Sequence, residues 1–341
     1  MNKPAVRRHA TAKEKAFWAE LAQLLMLDGL ATSENWEAND VVFHGGTSLH
    51  MSWNSPRHSE DLDFLIKRDL LGEMGKTMEK VVEAMRRRMV HLDPDLIIEI
   101  RDKSNAKMGR FNISISKANV MGKSMVKSEF WGVDSEYLDV YKSRRKIPVL
   151  SDSLKEEGVF VKLRAGLQTA TLDSVFCDKV VAMAGRPFIK WRDAFDLWWI
   201  SQSREFQRPE PTALARRILY YASAYRNDPN SDDDDHQSGQ PLDVGVTRDI
   251  WSLPSRLRAY AMKVDTQEMI EASKTDLKRF LTTISGSTEH WDKYWPENVE
   301  EMVKFAAETA REVAGFIEAE IKDWDEDEPA PVTAIRMRSG L

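Results

Sequence analysis

The stretch that decides the fold comprises two strings, VVFHGGTSL at residues 41–49 and RHSEDLDF at residues 57–64. The apolar residues that open the first string predict a short buried strand. Gly45 and Gly46 follow it, and glycines allow the backbone to turn tightly and to approach a ligand closely. The first string therefore predicts a ligand site at the end of a buried strand.

The residues after the glycines predict that this ligand carries phosphate. A helix is predicted from Ser48 to Trp53, and the amide groups at a helix N-terminus attract phosphate. The hydroxyls of Thr47 and Ser48 are further phosphate donors, and Arg57 carries a planar guanidinium that suits phosphate oxygens. We therefore expect a nucleotide to bind here.

Two aspartates follow on a strand predicted from Glu60 to Ile66. Side chains alternate along a strand, so Asp61 and Asp63 share one face while Leu62 and Phe64 take the buried one. Two carboxylates this close repel each other unless a cation lies between them, and Mg²⁺ or Mn²⁺ prefers such oxygen ligands. The pair therefore predicts a metal that meets a nucleoside triphosphate (NTP).

A second group of charged residues lies in a helical region of the sequence. Lys179 falls on an otherwise apolar row of a predicted helix, so its ammonium group needs a partner. That partner is either an acid such as Asp178 or Asp193, or the triphosphate of a nucleotide. On the next predicted helix, Asp193 and Asp196 share a face, and one of them is expected to orient Lys179 or Arg192 or to touch the nucleotide.

The two groups together resemble the nucleotidyltransferases of the AbiEii/AbiGii toxin group, which includes the MenT toxins, within the polymerase-beta-like superfamily. The first group supplies GGTSL at 45–49 and RHSEDLDF at 57–64. The second supplies DKVVA at 178–182 and RDAFDL at 192–197, similar to the family's (Asp/Glu)-Lys-x-x-Ala and Arg-Asp-x-x-Asp-Leu motifs. The resemblance extends over about residues 41–197.

A third carboxylate is expected on a neighbouring strand, because two aspartates leave the metal short of protein ligands and leave the attacking hydroxyl without a base. Glu129, in a β-rich run at 125–131, is placed much as the family's later acidic strand residue and is our choice. Glu99, in the apolar run at 96–100, is the alternative, since an acid inside such a strand is unusual. Either could be an ordinary edge-strand acid.

The predicted reaction is transfer of a nucleoside monophosphate from an NTP to an acceptor hydroxyl, with loss of pyrophosphate. The resemblance implies a tRNA 3′ end as acceptor, growth arrest as the outcome and a cognate antitoxin, often a DNA-binding regulator. The predicted catalytic residues are Asp61, Asp63, Glu129, Lys179 and Asp193, of which the first three bind the metal. The predicted nucleotide-binding residues are Gly45, Gly46, Thr47, Ser48, Arg57, Lys179, Arg192 and Asp196.

Two other functions are weighed against this one. The protein could nucleotidylate or phosphorylate a protein side chain, or it could be a catalytically idle fold that binds a nucleotide or a partner protein. The presence of Asp61, Asp63 and Lys179 argues against idleness, because an unused metal site destabilises the fold through carboxylate repulsion.

Composition excludes several classes of protein. The net charge of −6 excludes binding of nucleic acid through an overall positive field, so such contacts must be local, as at residues 86–88 or 142–146. The single cysteine, Cys177, excludes a disulfide framework within the chain and suits a reducing compartment. No run of eighteen apolar residues occurs, so we expect a cytoplasmic protein without a membrane span.

The histidines show no metal-binding pattern in the sequence. No Cys/His spacing of a zinc site occurs. His44, His50 and His58 lie close to the two strings, and we interpret them as packing residues or substrate contacts rather than zinc ligands.

The periodicity of the chain predicts an α+β fold. We expect a nucleotidyltransferase domain at 1–150, with a small mixed sheet, helices on one side and the order αβαβαβββ, as the polymerase-beta-like resemblance also implies. A mainly helical domain at 151–325 then contributes Lys179 and Asp193 to the site. A flexible acidic loop is predicted at 228–241 and a tail at 326–341. The predicted helices include 11–30, which is expected to be amphipathic, 69–89, 171–184, 209–225, 266–284 and 296–324.

Overall fold

The computed structural model describes residues 8–159, 161, 163, 165–224, 240–241, 250–281, 292 and 297–322. They fall into two compact units, one that runs to Thr171 and one that begins at Leu172. The predicted tail at 326–341 lies outside the described residues, and so does the predicted acidic loop at 228–241 apart from its last two residues.

The first unit contains nine strands and five α-helices among its described residues. The strands are β1 Arg8–His9, β2 Val41–His44, β3 Leu62–Lys67, β4 Leu96–Asp102, β5 Met108–Lys117, β6 Val120–Met121, β7 Lys123–Val133, β8 Ser143–Lys146 and β9 Leu167–Ala170. The helices are α1 Ala12–Ser33, α2 Gly45–Trp53, α3 Met74–Leu92, α4 Ser135–Val140 and α5 Asp152–Glu156, with a 3-10 helix at Arg68–Glu73.

A seven-stranded mixed sheet lies at the centre of this unit, in the order β4-β5-β7-β3-β2-β9-β8. The pairs β3 with β7 and β2 with β9 are parallel, and the other neighbours are antiparallel. The predicted mixed sheet is therefore confirmed. Because β9 belongs to it, the first unit extends to Thr171, whereas the sequence placed the domain limit at residue 150.

An aromatic row across three central strands fixes their register. Phe43, Phe64 and Phe130 are cross-strand partners, and all three side chains are buried. The rings of Phe64 and Phe130 stack with centroids 4.6 Å apart, and Phe43 lies 5.2 Å from Phe64. A slip of one residue would turn these rings to the opposite face, so their packing also determines where the neighbouring Asp63 points.

Helix α1 is buried over most of its C-terminal half. It begins with a capping box in which Thr11 Oγ1 accepts from the Glu14 amide at 3.1 Å and Glu14 Oε2 accepts from the Thr11 amide at 2.9 Å. From Glu20 to Leu30 every residue is buried, so the amphipathic pattern predicted for this segment is wrong over that range. Contacts with α3 on one side and β5 and β7 on another explain this.

The second unit is mainly helical, as predicted. Its helices are α6 Leu172–Gly185, α7 Trp191–Gln202, α8 Pro211–Ala224, α9 Leu253–Val264, α10 Gln267–Leu281 and α11 Glu297–Ile321. The long helix α11 packs against α7, α8 and α9. A short antiparallel pair joins β10 Phe188–Ile189 to β11 Gln240–Pro241. None of the described helices has both the length and the apolar character required to cross a bilayer.

Three element limits near the first site differ from the sequence predictions. The strand predicted from Glu60 begins at Leu62, so Asp61 precedes β3 instead of lying on it. The helix predicted from Ser48 begins at Gly45, because the positive φ of that glycine, 75°, lets the chain turn from β2 directly into α2. The helix predicted from Asp69 begins later, after the 3-10 segment.

Candidate functional site

Four polar side chains form a row across neighbouring strands of the first unit. Asp63 on β3 lies directly opposite Glu129 on β7 and opposite His44 on β2. Arg110 on β5 lies opposite Glu129 from the other side. Because cross-strand partners point to the same face of a sheet, all four side chains share one face.

Electrostatics in this row favours a positively charged ligand. Arg110 Nε lies 2.9 Å from Glu129 Oε1 and forms an ion pair with it. Burial and the charge of Asp63 nevertheless raise the pKa of Glu129 above its ordinary value, although Arg110 opposes this. One guanidinium therefore does not balance the two carboxylates, and a proton or a cation is attracted to them.

The position of Glu99 separates the two candidates for the third carboxylate. Glu99 lies on β4, an edge strand, where its partner is Ser114, and its side chain is exposed. Two strands, β5 and β7, stand between β4 and β3. Glu129, in contrast, is a direct neighbour of Asp63. The geometry thus favours Glu129.

Both glycines at the start of α2 touch charged side chains. A Cβ atom added to Gly45 would lie 2.5 Å from Asp63 Oδ2. One added to Gly46 would overlap the Arg57 guanidinium and lie 3.2 Å from Ser59 Oγ. The close backbone approach expected from the glycines is therefore present, with the carboxylate and the guanidinium as the groups approached.

The two hydroxyls predicted to contact phosphate are used inside the protein. Thr47 and Ser48 are fully buried. Thr47 Oγ1 donates to the backbone oxygen of Asp61, and Ser48 Oγ donates to the backbone oxygen of Gly45 at 2.8 Å. They tie the segment that carries Asp61 to the first turn of α2. The side chain of the N-cap residue, His44, does not cap this helix, so its first amides are the phosphate donors that the geometry offers.

Arg57 is buried at the same helix start, with 1% of its surface exposed. Its Nη1 donates to the backbone oxygen of His58 at 2.9 Å. The guanidinium thus adds positive charge beside the first turn of α2 while it anchors the chain that leads into β3.

A buried ion cluster in the second unit contains the other predicted residues. Lys179 Nζ on α6 lies 2.7 Å from Asp193 Oδ1 and 2.7 Å from Asp196 Oδ2, both on α7. Arg186 also pairs with Asp193. Although burial opposes the charged form, Arg186 and Lys179 lower the pKa of Asp193 below its ordinary value. The acidic partner considered for Lys179 is therefore present, and Arg192 lies 5.7 Å from the Phe280 ring.

One further cluster was missed by the sequence analysis. Glu20, His50 and His58 each offer a ligand atom, and these atoms lie within 4.8 Å of one another, the one such group of three found among the described residues. Glu20 is on α1 and far from the motif in sequence, so no spacing rule could have joined it to the histidines.

Comparisons with known proteins agree with this fold. The chain is similar to MenT4, a nucleotidyltransferase toxin from Mycobacterium tuberculosis H37Rv, with a TM-score of 0.51 and 15% identity over 97% of this chain and 95% of that one. The structure of JHP933 from Helicobacter pylori matches with a TM-score of 0.44 and 16% identity over 91% and 96% of the two chains. No curated protein matches the sequence.

The match to MenT4 shows the fold alone, because the identity is only 15%, whereas the sequence profile of a family shows membership. The sequence profile described as "Nucleotidyl transferase AbiEii toxin, Type IV TA system" matches residues 29–301. This range holds both motif groups and most of the chain. The protein therefore belongs to the AbiEii family of nucleotidyltransferase toxins of type IV toxin–antitoxin systems.

Proposed function

We propose that this toxin transfers a nucleoside monophosphate from an NTP to an acceptor hydroxyl, with pyrophosphate as the leaving group. The observation that carries the proposal is the register of β3 and β7, which puts the carboxylates of Asp63 and Glu129 side by side. The start of α2 lies next to them, because Gly45 touches the Asp63 carboxylate. Acids beside a phosphate-binding helix start are what NTP chemistry requires.

The donor atoms fit a divalent metal. Asp61, Asp63 and Glu129 offer carboxylate oxygens, the ligands that Mg²⁺ and Mn²⁺ prefer. Glu129 lies beside Asp63 and pairs with Arg110, so one guanidinium faces two carboxylates and a further cation is favoured. When bound, Mg²⁺ or Mn²⁺ would neutralise charge on the phosphates and lower the pKa of the acceptor hydroxyl.

Glu129 is the proposed general base. Its carboxylate lies beside that of Asp63 on the neighbouring strand, so it is placed to take a proton from a hydroxyl held at this pair. The acceptor O–H proton passes to Glu129 while the acceptor oxygen bonds to the α-phosphorus. The bond from that phosphorus to the oxygen of the β-phosphate breaks, and pyrophosphate leaves. Arg110 holds the carboxylate in place through its 2.9 Å ion pair.

The first turn of α2 is the proposed phosphate cradle. Gly45 and Gly46 supply its first amides, while the hydroxyls of Thr47 and Ser48 hold the turn in shape through their bonds to backbone oxygens. Arg57 supplies positive charge at this turn. We expect phosphate to be bound mainly by backbone amides, with the two hydroxyls in a supporting role.

Lys179 is the proposed phosphate ligand of the second unit. An ammonium group has three N–H donors, and the carboxylates of Asp193 and Asp196 account for two of them. The two acids fix the direction of the side chain, and the third donor is proposed to meet a phosphate oxygen. Arg192, beside these acids in sequence, is proposed to assist the same binding.

The proposed acceptor is RNA, and specifically a tRNA 3′ end. Two observations support it, the family to which the protein belongs and one feature of its surface. The basic segment 142–146 includes β8, an edge strand of the sheet. Arg144 and Lys146 lie over the ring of Trp53, at 4.3 Å and 3.5 Å from its centroid. Cations stacked on an aromatic ring can meet both phosphates and bases of a single strand. A cognate antitoxin is the partner that a type IV system implies.

The test is a labelling assay with the purified protein. Each α-labelled NTP is incubated with Mg²⁺, total RNA and cell protein, and the products are separated. We expect label in small RNA, and we expect Asp63→Asn to abolish it. Glu99→Gln, an exposed acid on the edge strand, is the matched control and should retain activity. Transfer by a folded Asp63→Asn variant, or label in protein alone, would overturn the proposal.

A further inference from the structure

A cluster of three side chains contains none of the proposed catalytic or nucleotide-binding residues. Glu20 belongs to α1, His50 to the last turn of α2, and His58 to the segment that leads into β3. Their ligand atoms lie within 4.8 Å of one another. Three separate parts of the chain thus converge on one point.

The hydrogen bond of His50 Nδ1 leaves the lone pair of Nε2 directed at the carboxylate of Glu20. His50 Nδ1 lies 2.8 Å from the backbone oxygen of Ser55, which can only accept, so Nδ1 carries a proton. In the neutral ring Nε2 is then an acceptor, and it lies 3.5 Å from Glu20 Oε1. Two acceptors that face each other repel unless a proton or a metal ion lies between them.

Glu20 is an unusual residue for its position. Only 4% of its surface is exposed, and Oε2 has no hydrogen-bond partner among the described residues. Burial works against its charged form, but His50, His58 and Ser151 outweigh burial and lower its pKa. A buried carboxylate with an unused oxygen is unfavourable by itself, so a cationic partner is expected at this place.

The second histidine argues that this partner is a metal rather than protons alone. The rings of His50 and His58 are 4.7 Å apart at an angle of 50°. Rings this close to each other and to Glu20 can each direct a nitrogen lone pair at one ion. A single divalent ion accepts a lone pair from both rings and from the carboxylate.

We propose that Glu20, His50 and His58 bind a divalent transition-metal ion, with Zn²⁺ as the first choice. Imidazole ligands select Zn²⁺ over Mg²⁺, which prefers oxygen alone. Zinc bonds of about 2.0–2.1 Å in a tetrahedral site put ligand atoms roughly 3.3 Å apart, close to the 3.5 Å between His50 and Glu20. The bond from Nδ1 to the Ser55 carbonyl is the orienting contact that metal-binding histidines normally make.

The expected role of the ion is to brace the chain before β3. Gln23, one turn further along α1 than Glu20, already donates to the backbone oxygens of Ser59 and Glu60 at 2.9 Å each. A metal held by Glu20 and His58 would join α1 to the same segment a second time. It would thereby fix the approach to Asp61 without touching the catalytic carboxylates.

Metal binding can be measured without any activity assay. The full-length protein is stripped with a chelator and dialysed against Zn²⁺ in the presence of excess Mg²⁺, and bound zinc is counted by mass spectrometry. We expect one zinc ion per chain. Glu20→Gln and His58→Gln should each weaken binding by more than about 10-fold, while His91→Gln, an exposed histidine on α3, should leave it unchanged.

A folding measurement keeps the test decisive if a variant is unstable. Zn²⁺ should raise the Tm of the wild-type protein and of His91→Gln but not that of His58→Gln. Wild-type protein that binds no zinc would overturn the proposal, and so would zinc binding that is equally strong in both cluster variants. Because neither readout involves nucleotide transfer, either result leaves the proposed function untouched.

Discussion

Asp63 and Glu129 are direct cross-strand partners, and the charge of one carboxylate helps to raise the pKa of the other. This contact explains why the pair suits a metal ion and why, without a metal, repulsion between the two carboxylates destabilises the fold. Glu129 also forms an ion pair with Arg110, which reduces this repulsion without removing it. Metal binding and fold stability therefore depend on the same pair of residues.

The raised pKa of Glu129 predicts how stability depends on pH in metal-free protein. A carboxyl group whose pKa is higher in the folded than in the unfolded state stabilises the fold at pH values below its ordinary pKa of 4.5. That contribution is lost as the pH rises through the pKa of the folded state. Glu129→Gln removes the titration. The free energy of unfolding of wild type minus that of Glu129→Gln should therefore fall between pH 4 and pH 7, as measured with urea at several pH values.

The direction of this difference is the decisive quantity, because Glu129→Gln also weakens the pair with Arg110 and shifts the absolute values. Adding Mg²⁺ at pH 7 should stabilise wild type more than the variant. If this difference in unfolding free energy stays constant or grows with pH in the absence of metal, the pKa of Glu129 is not raised in the folded protein.

Gly45→Ala is expected to damage both stability and transfer. The φ of Gly45 is +75°, and an added Cβ would lie 2.5 Å from Asp63 Oδ2. We expect a loss of at least about 1 kcal/mol in the free energy of unfolding and roughly 100-fold slower transfer, since the carboxylate must move. Gly72→Ala is the control, because nothing lies near its Cβ position. Equal activity of the two variants would contradict the role given to this contact.

Local patterns account for the parts of the site that the sequence predicted. The apolar run of β2 is buried at all four positions, and β3 alternates from Leu62 through Asp63 to Phe64, so both strands could be recognised from local patterns. The spacing of Asp193 and Asp196 predicts that they share one helical face and that one of them orients Lys179 or Arg192 or touches the nucleotide, and the structure has both acids at Lys179. Each of these inferences needed only neighbours in the chain.

Tertiary packing decided the parts that the sequence left undetermined. The choice between Glu99 and Glu129 depended on strand order, because both acids lie in similar β-rich runs. The position of Glu20 depended on the burial of α1 on nearly all sides, which its apparent amphipathic pattern did not reveal. Gly45 was predicted to form a turn before the helix because glycine allows the backbone to turn tightly, whereas the helix begins at Gly45 itself.

Removal of Lys179 should be strongly destabilising whatever its role toward a nucleotide. Lys179→Met leaves Asp193 and Asp196 buried with one cation fewer, and breaking such a buried pair typically destabilises a protein by about 3–5 kcal/mol. Lys304→Met, which breaks the exposed pair with Glu300, should have an effect below about 1 kcal/mol. Chemical denaturation of both variants checks this. A mild effect of Lys179→Met would mean that Arg186 alone neutralises Asp193.

Asp193 predicts acid sensitivity of the opposite sign to that of Glu129. Its pKa is lowered in the folded state, so its stabilising contribution is present above its ordinary value of 3.8 and declines as pH falls below it. Relative to Asp193→Asn, the wild-type protein should lose about 1.4 kcal/mol per pH unit in that range. Unfolding curves from pH 5 to pH 2.5 measure this. Parallel curves for the two proteins would contradict the assignment of the low pKa to Asp193.

The basic edge strand predicts a separable effect on the acceptor. Arg144 and Lys146, both on β8, lie over the ring of Trp53, and two strands separate β8 from the strand of Asp63. If they contact RNA phosphates, Lys146→Ala should raise the KM for RNA, leave the KM for NTP unchanged and reduce the salt dependence of RNA binding by about one charge. Lys76→Ala, an exposed lysine on α3, is the matched control. A change in the KM for NTP instead would show that β8 binds the nucleotide and not the acceptor. A residue that contacts only RNA cannot alter binding of the free triphosphate.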